Sequence, residues 1–218
     1  MPHVSTLALF TLATLCAAAL GAWLAALPYR LPVRWGWETT ATPTPRAARW
    51  AGAGLVATAA AGVTWRWGLN AASLAVVALC VMLLLASSID ARLMLLPDIL
   101  TMGAMWLGLL VNSLGWFAPL QDAVWGAALG YVSLWLVAHA FVRWRGQEGM
   151  GHGDFKLAAA GGAWLGITQV PWLLLLASAM GAAWGLWRTL SGRAASQPFP
   201  FGPFLAVAIY LLLVLGGL

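Results

Sequence analysis

The chain has 218 residues, of which 62% are hydrophobic and only 8% are charged. Soluble domains carry roughly 25% charged residues, so this composition excludes a soluble globule and predicts an integral membrane protein. The net charge of +5 comes from dispersed basic residues without a nucleic-acid-binding motif, so the lipid bilayer is an expected partner and nucleic acid is not.

The apolar runs predict an all-α fold, a polytopic transmembrane bundle of about eight helices at about 20 residues for each crossing. The predicted helices cover residues 5–27, 50–67, 71–89, 99–114, 121–142, 155–168, 171–188 and 202–217. They leave no room for a sizeable soluble domain, so residues 1–218 are expected to form one integral-membrane domain. The longest polar stretch, 28–49, is expected to be a loop, and patches of small residues such as 159–162 predict close helix contacts.

The basic residues predict the orientation of the chain. If the N-terminus lies outside, ten of the eleven Lys and Arg residues fall on the cytoplasmic side, and only Arg66 falls on the other. We therefore expect the N-terminus outside and the loop 28–49 in the cytoplasm.

The six acidic residues are the candidates for chemistry, because an ionisable group at membrane depth is costly. Glu38 and Glu148 are interpreted as solvated loop charges. Asp122 opens a predicted helix, where a carboxylate can cap free amide groups. Asp98 follows Pro97 at another helix start, so both capping and a role in a site are open for it.

Asp90 and Asp154 differ from the other acids. Asp90 ends an apolar run, and Asp154 stands at the entrance of the sixth predicted helix. Two predicted crossings separate them, so both are expected at the same membrane boundary, the cytoplasmic one. Two carboxyl groups in a poorly solvated site repel, and their pKa values separate. One can then draw a proton from water while the other donates to a carbonyl oxygen, as in aspartic proteases.

The residues around Asp154 give the candidate supporting groups. Gly151 and Gly153 are expected to let the backbone and the carboxylate adjust around a substrate strand. Lys156 is open between tuning an aspartate, contacting substrate and extending to the membrane surface. No metal site is expected, because the histidines lack metal-ligand spacing and the two cysteines, Cys16 and Cys80, lie in separate apolar runs.

Four stretches in order along the chain resemble the type IV prepilin leader peptidases, which are membrane aspartic proteases of the GxGD type. The stretch 89–110 is similar to their first aspartate region, and 148–166 is similar to their second. The stretch 200–205 resembles their last-helix signature, and 29–32 resembles the end of their first conserved segment.

The resemblance implies that Asp90 and Asp154 are the catalytic pair and that the substrate is a prepilin or pseudopilin. It also implies cleavage of the basic leader at the cytoplasmic face of the bacterial inner membrane, which needs no cofactor. Family members also methylate the new N-terminus with S-adenosylmethionine. Full-length members carry two Cys-x-x-Cys pairs in the first cytoplasmic loop, whereas 28–49 has no cysteine. Zinc is therefore not expected, and S-adenosylmethionine is needed only if methylation is retained.

Two other functions are alternatives to this one. A small proton-coupled transporter would use buried acids as a relay, but its expected inverted repeats are not evident in the sequence. A purely structural membrane subunit would leave the Gly-x-Gly-Asp segment 151–154 without a purpose. The oligomeric state is left open.

Overall fold

The computed structural model describes residues 17–23, 26–27, 44–146, 150–192 and 199–215. These residues form α-helices and no strand, which confirms the predicted all-α fold. The helices are α1 (Arg46–Trp67), α2 (Ala71–Leu93), α3 (Asp98–Ser113), α4 (Leu120–Arg145), α5 (His152–Leu165), α6 (Val170–Leu190) and α7 (Gly202–Leu215). Residues 17–23 are also helical. The rest of the predicted helix 5–27, most of the loop 28–49, Glu38 and Glu148 lie outside the described residues.

Helix α5 is displaced at both ends, since it begins and ends three residues before the predicted 155–168. It ends early because Gly166 has a φ of 78°, a left-handed conformation that glycine adopts readily and that ends a helix. It begins early because Gly151 is extended and the helix starts at once after it. Asp154 consequently lies inside the first turn of α5 rather than before the helix.

Within the described residues, three helical segments are long and apolar enough to cross a membrane: Ala71–Leu93, Leu120–Arg145 and Ile167–Leu190. The shorter helices α3 and α7 are also apolar. The described helices thus confirm a polytopic membrane protein, while the outside position of the N-terminus stays a prediction.

The chain divides into two compact units, Met1–Ser88 and Ile89–Leu218. In the first unit, Ala17, Val56 and Ala60 form a small buried cluster, with Val77 and Leu84 packed against it. The expectation that residues 1–218 act as one domain stays a prediction.

Helix α5 forms the core of the second unit, and every residue from Leu157 to Leu165 is buried. It packs against α4 through small residues, because a Cβ atom at Gly130 would lie 2.5 Å from the Ala158 carbonyl oxygen. One turn further along the two helices, Gly126 and Gly162 face each other, and neither position has room for an added Cβ atom. Backbones in contact at a four-residue spacing are typical of helix pairs in membranes. The close contact predicted for residues 159–162 is therefore present.

The far end of α5 is held by Asn112, a buried residue at the end of α3. Its amide nitrogen donates to the carbonyl oxygens of Ala163 at 2.8 Å and Trp164 at 3.3 Å. Its amide oxygen accepts from the backbone N–H groups of Phe117 at 3.2 Å and Ala118 at 3.0 Å. One side chain therefore forms hydrogen bonds with backbone carbonyl groups at the end of α5 and with backbone N–H groups in the loop between α3 and α4.

Replacing Asn112 with alanine should destabilise the protein by about 2–3 kcal/mol, because buried donors and acceptors lose their partner together. Unfolding of the purified variant in detergent by increasing denaturant measures the effect. Ser113→Ala is the matched control, since the exposed Ser113 hydroxyl donates only to the Leu110 carbonyl of its own helix. Equal stability of the two variants would contradict the proposed bridging role.

Candidate active site

The two aspartates singled out in the sequence meet in the second unit. Asp90 lies in the last turn of α2 and is 5% exposed, and Asp154 lies in the first turn of α5 and is 7% exposed. Helix α5 is not among the three candidate membrane spans. Burial raises the pKa of Asp154 above its ordinary value, and the nearby charge of Asp90 raises that pKa further. The two carboxyl groups are therefore close enough to interact electrostatically, while their position on one membrane boundary stays a prediction.

The Asp90 carboxylate is held by the start of α7. The backbone N–H of Gly202 donates a hydrogen bond to Oδ2 of Asp90 at 3.0 Å. A Cβ atom at Gly202 would lie only 2.7 Å from the same oxygen. Position 202 therefore has room for glycine alone while the carboxylate keeps this place.

The Asp154 carboxylate has a different environment. Its Oδ1 atom is buried and has no hydrogen-bond partner among the described residues. A backbone hydrogen bond from Gly151 partly offsets the rise in the pKa of Asp154. A buried polar atom without a partner is rare in folded proteins and is expected where water or substrate binds. The two carboxyl groups are thus inequivalent, as acid–base chemistry by a pair requires.

The two glycines of segment 151–154 play different structural parts. A Cβ atom at Gly153 would lie 2.6 Å from Cβ of Leu96, so α5 can approach Leu96 only with glycine there. Gly151 has φ −76° and ψ 149°, which any residue adopts, and a Cβ atom there would lie at ordinary contact distance from Asp154. The packing therefore requires glycine at 153 but not at 151.

Leu96 lies in the loop between α2 and α3 and contacts both glycine positions of the site. It is 9% exposed, and a Cβ atom at Gly202 would lie 3.3 Å from its Cδ2 atom. Leu96 therefore separates the start of α5 from the start of α7, and its size influences how far apart the two aspartates stand.

Asp98 and Lys156 form an ion pair beside the aspartates, with Nζ of Lys156 2.6 Å from Oδ1 of Asp98. The side chains are 67% and 28% exposed, respectively. The pair links the first turn of α3 to the second turn of α5. Of the roles left open for Lys156 and Asp98, the structure thus shows a mutual contact that fixes two helix starts.

Reasoning from sequence assigned no role to Gly202 or to Leu96. The signal for Gly202 was a helix start after Pro200 and Phe201, but a helix start does not reveal which carboxylate it faces. Within the described part of the chain, no three His, Cys, Asp or Glu side chains are grouped so that they could hold a metal ion.

The geometry can be compared with known proteins. The model of the type IV leader peptidase family matches residues 77–186. These residues include both aspartates, the ion pair and Leu96. No solved structure matches the chain.

Several curated relatives bear the name prepilin leader peptidase/N-methyltransferase. The protein from Xanthomonas campestris is 44% identical over 153 residues, which cover 70% of this chain and 53% of the relative. The protein from Dickeya chrysanthemi is 48% identical over 162 residues, covering 72% and 56%. The protein from Pseudomonas aeruginosa is 44% identical over 155 residues, covering 71% and 53%.

The chain spans about half the length of the curated relatives it matches. The family model itself matches half of this chain and contains the whole segment from the end of α2 to the end of α5. The buried aspartates thus lie inside the matched region, and the chain belongs to the type IV leader peptidase family.

Proposed function

We propose that this protein is a membrane aspartic endopeptidase that removes the leader peptide from prepilins or pseudopilins. The observation that carries the proposal is the buried, inequivalent pair of Asp90 and Asp154: Oδ2 of Asp90 accepts a hydrogen bond from Gly202, whereas Oδ1 of Asp154 has no partner among the described residues. Membership in the leader peptidase family supports the substrate class. No match and no described residue supports the transporter alternative.

The proposed reaction is direct attack by water on the scissile carbonyl carbon. One carboxylate takes a proton from the water molecule, and the other carboxyl group gives its proton to the carbonyl oxygen, so a tetrahedral diol forms. The diol then collapses, the C–N bond breaks, and the amide nitrogen leaves with a proton. No covalent bond forms between enzyme and substrate.

We place the site at the cytoplasmic face of the bacterial inner membrane. The side chains and backbone groups of the site come from the end of α2 and the starts of α3, α5 and α7. If successive helices cross the membrane in alternating directions, these four ends lie on the same side of it. The last turns of α2, α4 and α6 carry basic residues, which favour the cytoplasmic side. A basic leader held in the cytoplasm would meet the carboxyl pair where its hydrophobic helix begins.

A cleavage assay tests the proposal. The purified full chain is mixed with a prepilin in detergent, with and without S-adenosylmethionine, and the products are read by mass spectrometry. We expect loss of a leader-sized mass in both samples. An uncut prepilin in both samples would contradict the proposal.

The same assay tests methylation separately. The curated relatives are named N-methyltransferases as well as peptidases, and loop 28–49 lacks the cysteine pairs expected of full-length members. An added methyl mass in the sample with S-adenosylmethionine would show that the transfer is retained. Cleavage without that mass would assign this chain the peptidase reaction alone.

The ion pair between Asp98 and Lys156 is expected to act through the position of Asp154. Asp98→Asn or Lys156→Met should lower kcat for prepilin cleavage by up to about fivefold, since exposed ion pairs contribute about 1 kcal/mol or less. The exchanged variant, Asp98→Lys with Lys156→Asp, should recover most of that loss. An exchanged variant slower than both single variants would show that the pair acts by another route, such as contact with substrate.

A further inference from the structure

We infer that the start of α7 contributes to the proposed active site, because Gly202 positions Asp90 as the carboxylate that takes the proton from water. Asp154 is then the carboxyl group that donates its proton to the carbonyl oxygen of the substrate. The inference rests on the proposed function and deepens it, because it divides the roles within the pair. Gly202 is a positioning residue, since it acts through Asp90 and needs no contact with substrate.

The first turn of α7 offers its free amide to Asp90. The first N–H groups of a helix have no partner within the helix, and proline has no N–H at all. The N–H groups of Phe204 and Leu205 reach the carbonyl oxygen of Phe201, and Pro203 has none to give. The N–H of Gly202 reaches Oδ2 of Asp90 instead, at 3.0 Å.

This bond restricts where a proton can reside. An amide N–H donates only to a lone pair, so the hydrogen-bonded Oδ2 of Asp90 is an acceptor. The positive end of a 14-residue helix also favours negative charge at that oxygen. Both effects favour the ionised form of Asp90, which is the form that a base needs.

Asp154 has the complementary setting. Its buried Oδ1 atom has no partner, so this carboxyl group is free to hold a proton and to direct it at a substrate oxygen. The raised pKa of Asp154 agrees with that role. Among the described residues, the other charged side chains at these helix ends belong to Arg92, Asp98 and Lys156, and Asp98 and Lys156 form an ion pair.

The division of roles gives a balanced proton path. Water gives one proton to Asp90 as its oxygen bonds to the carbonyl carbon, while Asp154 gives its proton to the carbonyl oxygen. On collapse, Asp90 passes its proton to the leaving amide nitrogen and the C–N bond breaks. A hydroxyl proton of the diol returns to Asp154, which restores the starting state.

Three glycine variants test the inference. Gly202→Ala keeps the N–H but adds a Cβ atom 2.7 Å from the Asp90 oxygen, and Gly202→Pro also removes the N–H. Gly185→Ala is the matched control, since a Cβ atom there meets nothing within 4 Å. Each full-length variant is assayed for prepilin cleavage as kcat and KM across a range of pH.

We expect the Gly185 variant to match the unsubstituted protein. The Gly202→Ala variant should lose at least about tenfold in kcat with little change in KM, and Gly202→Pro should lose more. In Gly202→Ala the acidic limb of the pH profile should move to higher pH, because Asp90 then ionises less readily. An unshifted acidic limb with normal kcat in both Gly202 variants would overturn the inference.

A second measurement is independent of how well the Gly202 variants fold. Infrared spectra at neutral pH should show the band of a protonated carboxyl group, and this band should disappear in Asp154→Asn. Persistence of the band in Asp154→Asn would place the proton on Asp90 and overturn the inference. The proposed function fails separately, if the unsubstituted protein leaves prepilin uncut or if Asp90→Ala or Asp154→Ala still cleaves it at the normal rate.

Discussion

Asp90→Asn and Asp154→Asn are each expected to lower the rate of prepilin cleavage by about 10²–10⁴-fold, the usual contribution of a positioned acid or base. Asparagine keeps the size of the side chain but neither accepts nor donates a proton in the reaction. Both residues are buried, so a carboxylate on the protein surface cannot take over the proton transfer that the variant has lost. Cleavage by the purified variants, followed by mass spectrometry over time, measures the effect.

Asp122→Asn is the matched control for these variants. Asp122 lies in the first turn of α4, and a Cβ atom at Gly166 would lie 3.5 Å from its Cβ atom. This contact is at the end of α5, whereas Asp154 is at its start. The control should cleave normally. If Asp122→Asn were as slow as the two site variants, a general loss of structure would explain all three results better than acid–base chemistry.

Gly153→Ala is expected to lower cleavage by about 10²-fold, whereas Gly151→Ala should cost less than about fivefold. The added Cβ atom at 153 would lie 2.6 Å from Cβ of Leu96, which is the root of that side chain and cannot swing away. The start of α5 must therefore move, and Asp154 moves with it. At 151 the added atom meets only an ordinary contact of 3.9 Å with Asp154.

A double variant separates this steric cause from a need for backbone freedom. Leu96→Ala removes most of the side chain but keeps its Cβ atom, while Leu96→Gly removes the atom that would collide. Gly153→Ala combined with Leu96→Gly should therefore regain activity that Gly153→Ala with Leu96→Ala does not. Equal losses for Gly151→Ala and Gly153→Ala would show that both glycines act through conformational freedom.

Local features of the sequence predicted the helices well. Helix α3 starts after Pro97, one residue before the predicted 99, whereas α4 and α5 end at Gly146 and Gly166, both at positive φ, three residues from the predicted ends at 142 and 168. The common boundary of Asp90 and Asp154 followed from counting crossings. Each of these inferences depends on neighbouring residues or on the parity of the crossings.

Contacts between distant residues could not be predicted in this way. The Gly202 amide meets a carboxylate 112 positions earlier, and Lys156 meets an acid 58 positions earlier. Such pairs depend on how the helices rotate and slide against each other. The close contact between α4 and α5 at Gly130 and Ala158 determines part of this arrangement. The type of one residue does not reveal which distant residue it will contact.

The length of α5 has a consequence for how water reaches the carboxyl groups. Its 14 residues rise about 21 Å, whereas the 26 residues of α4 packed along it rise about 39 Å. At least one end of α5 therefore stops short of the ends of α4. A hydrocarbon layer about 30 Å thick cannot be matched by so short a helix. Asp154 lies in the first turn of α5, so the proposed hydrolysis would need water to reach only one end of this short helix and not to cross the membrane.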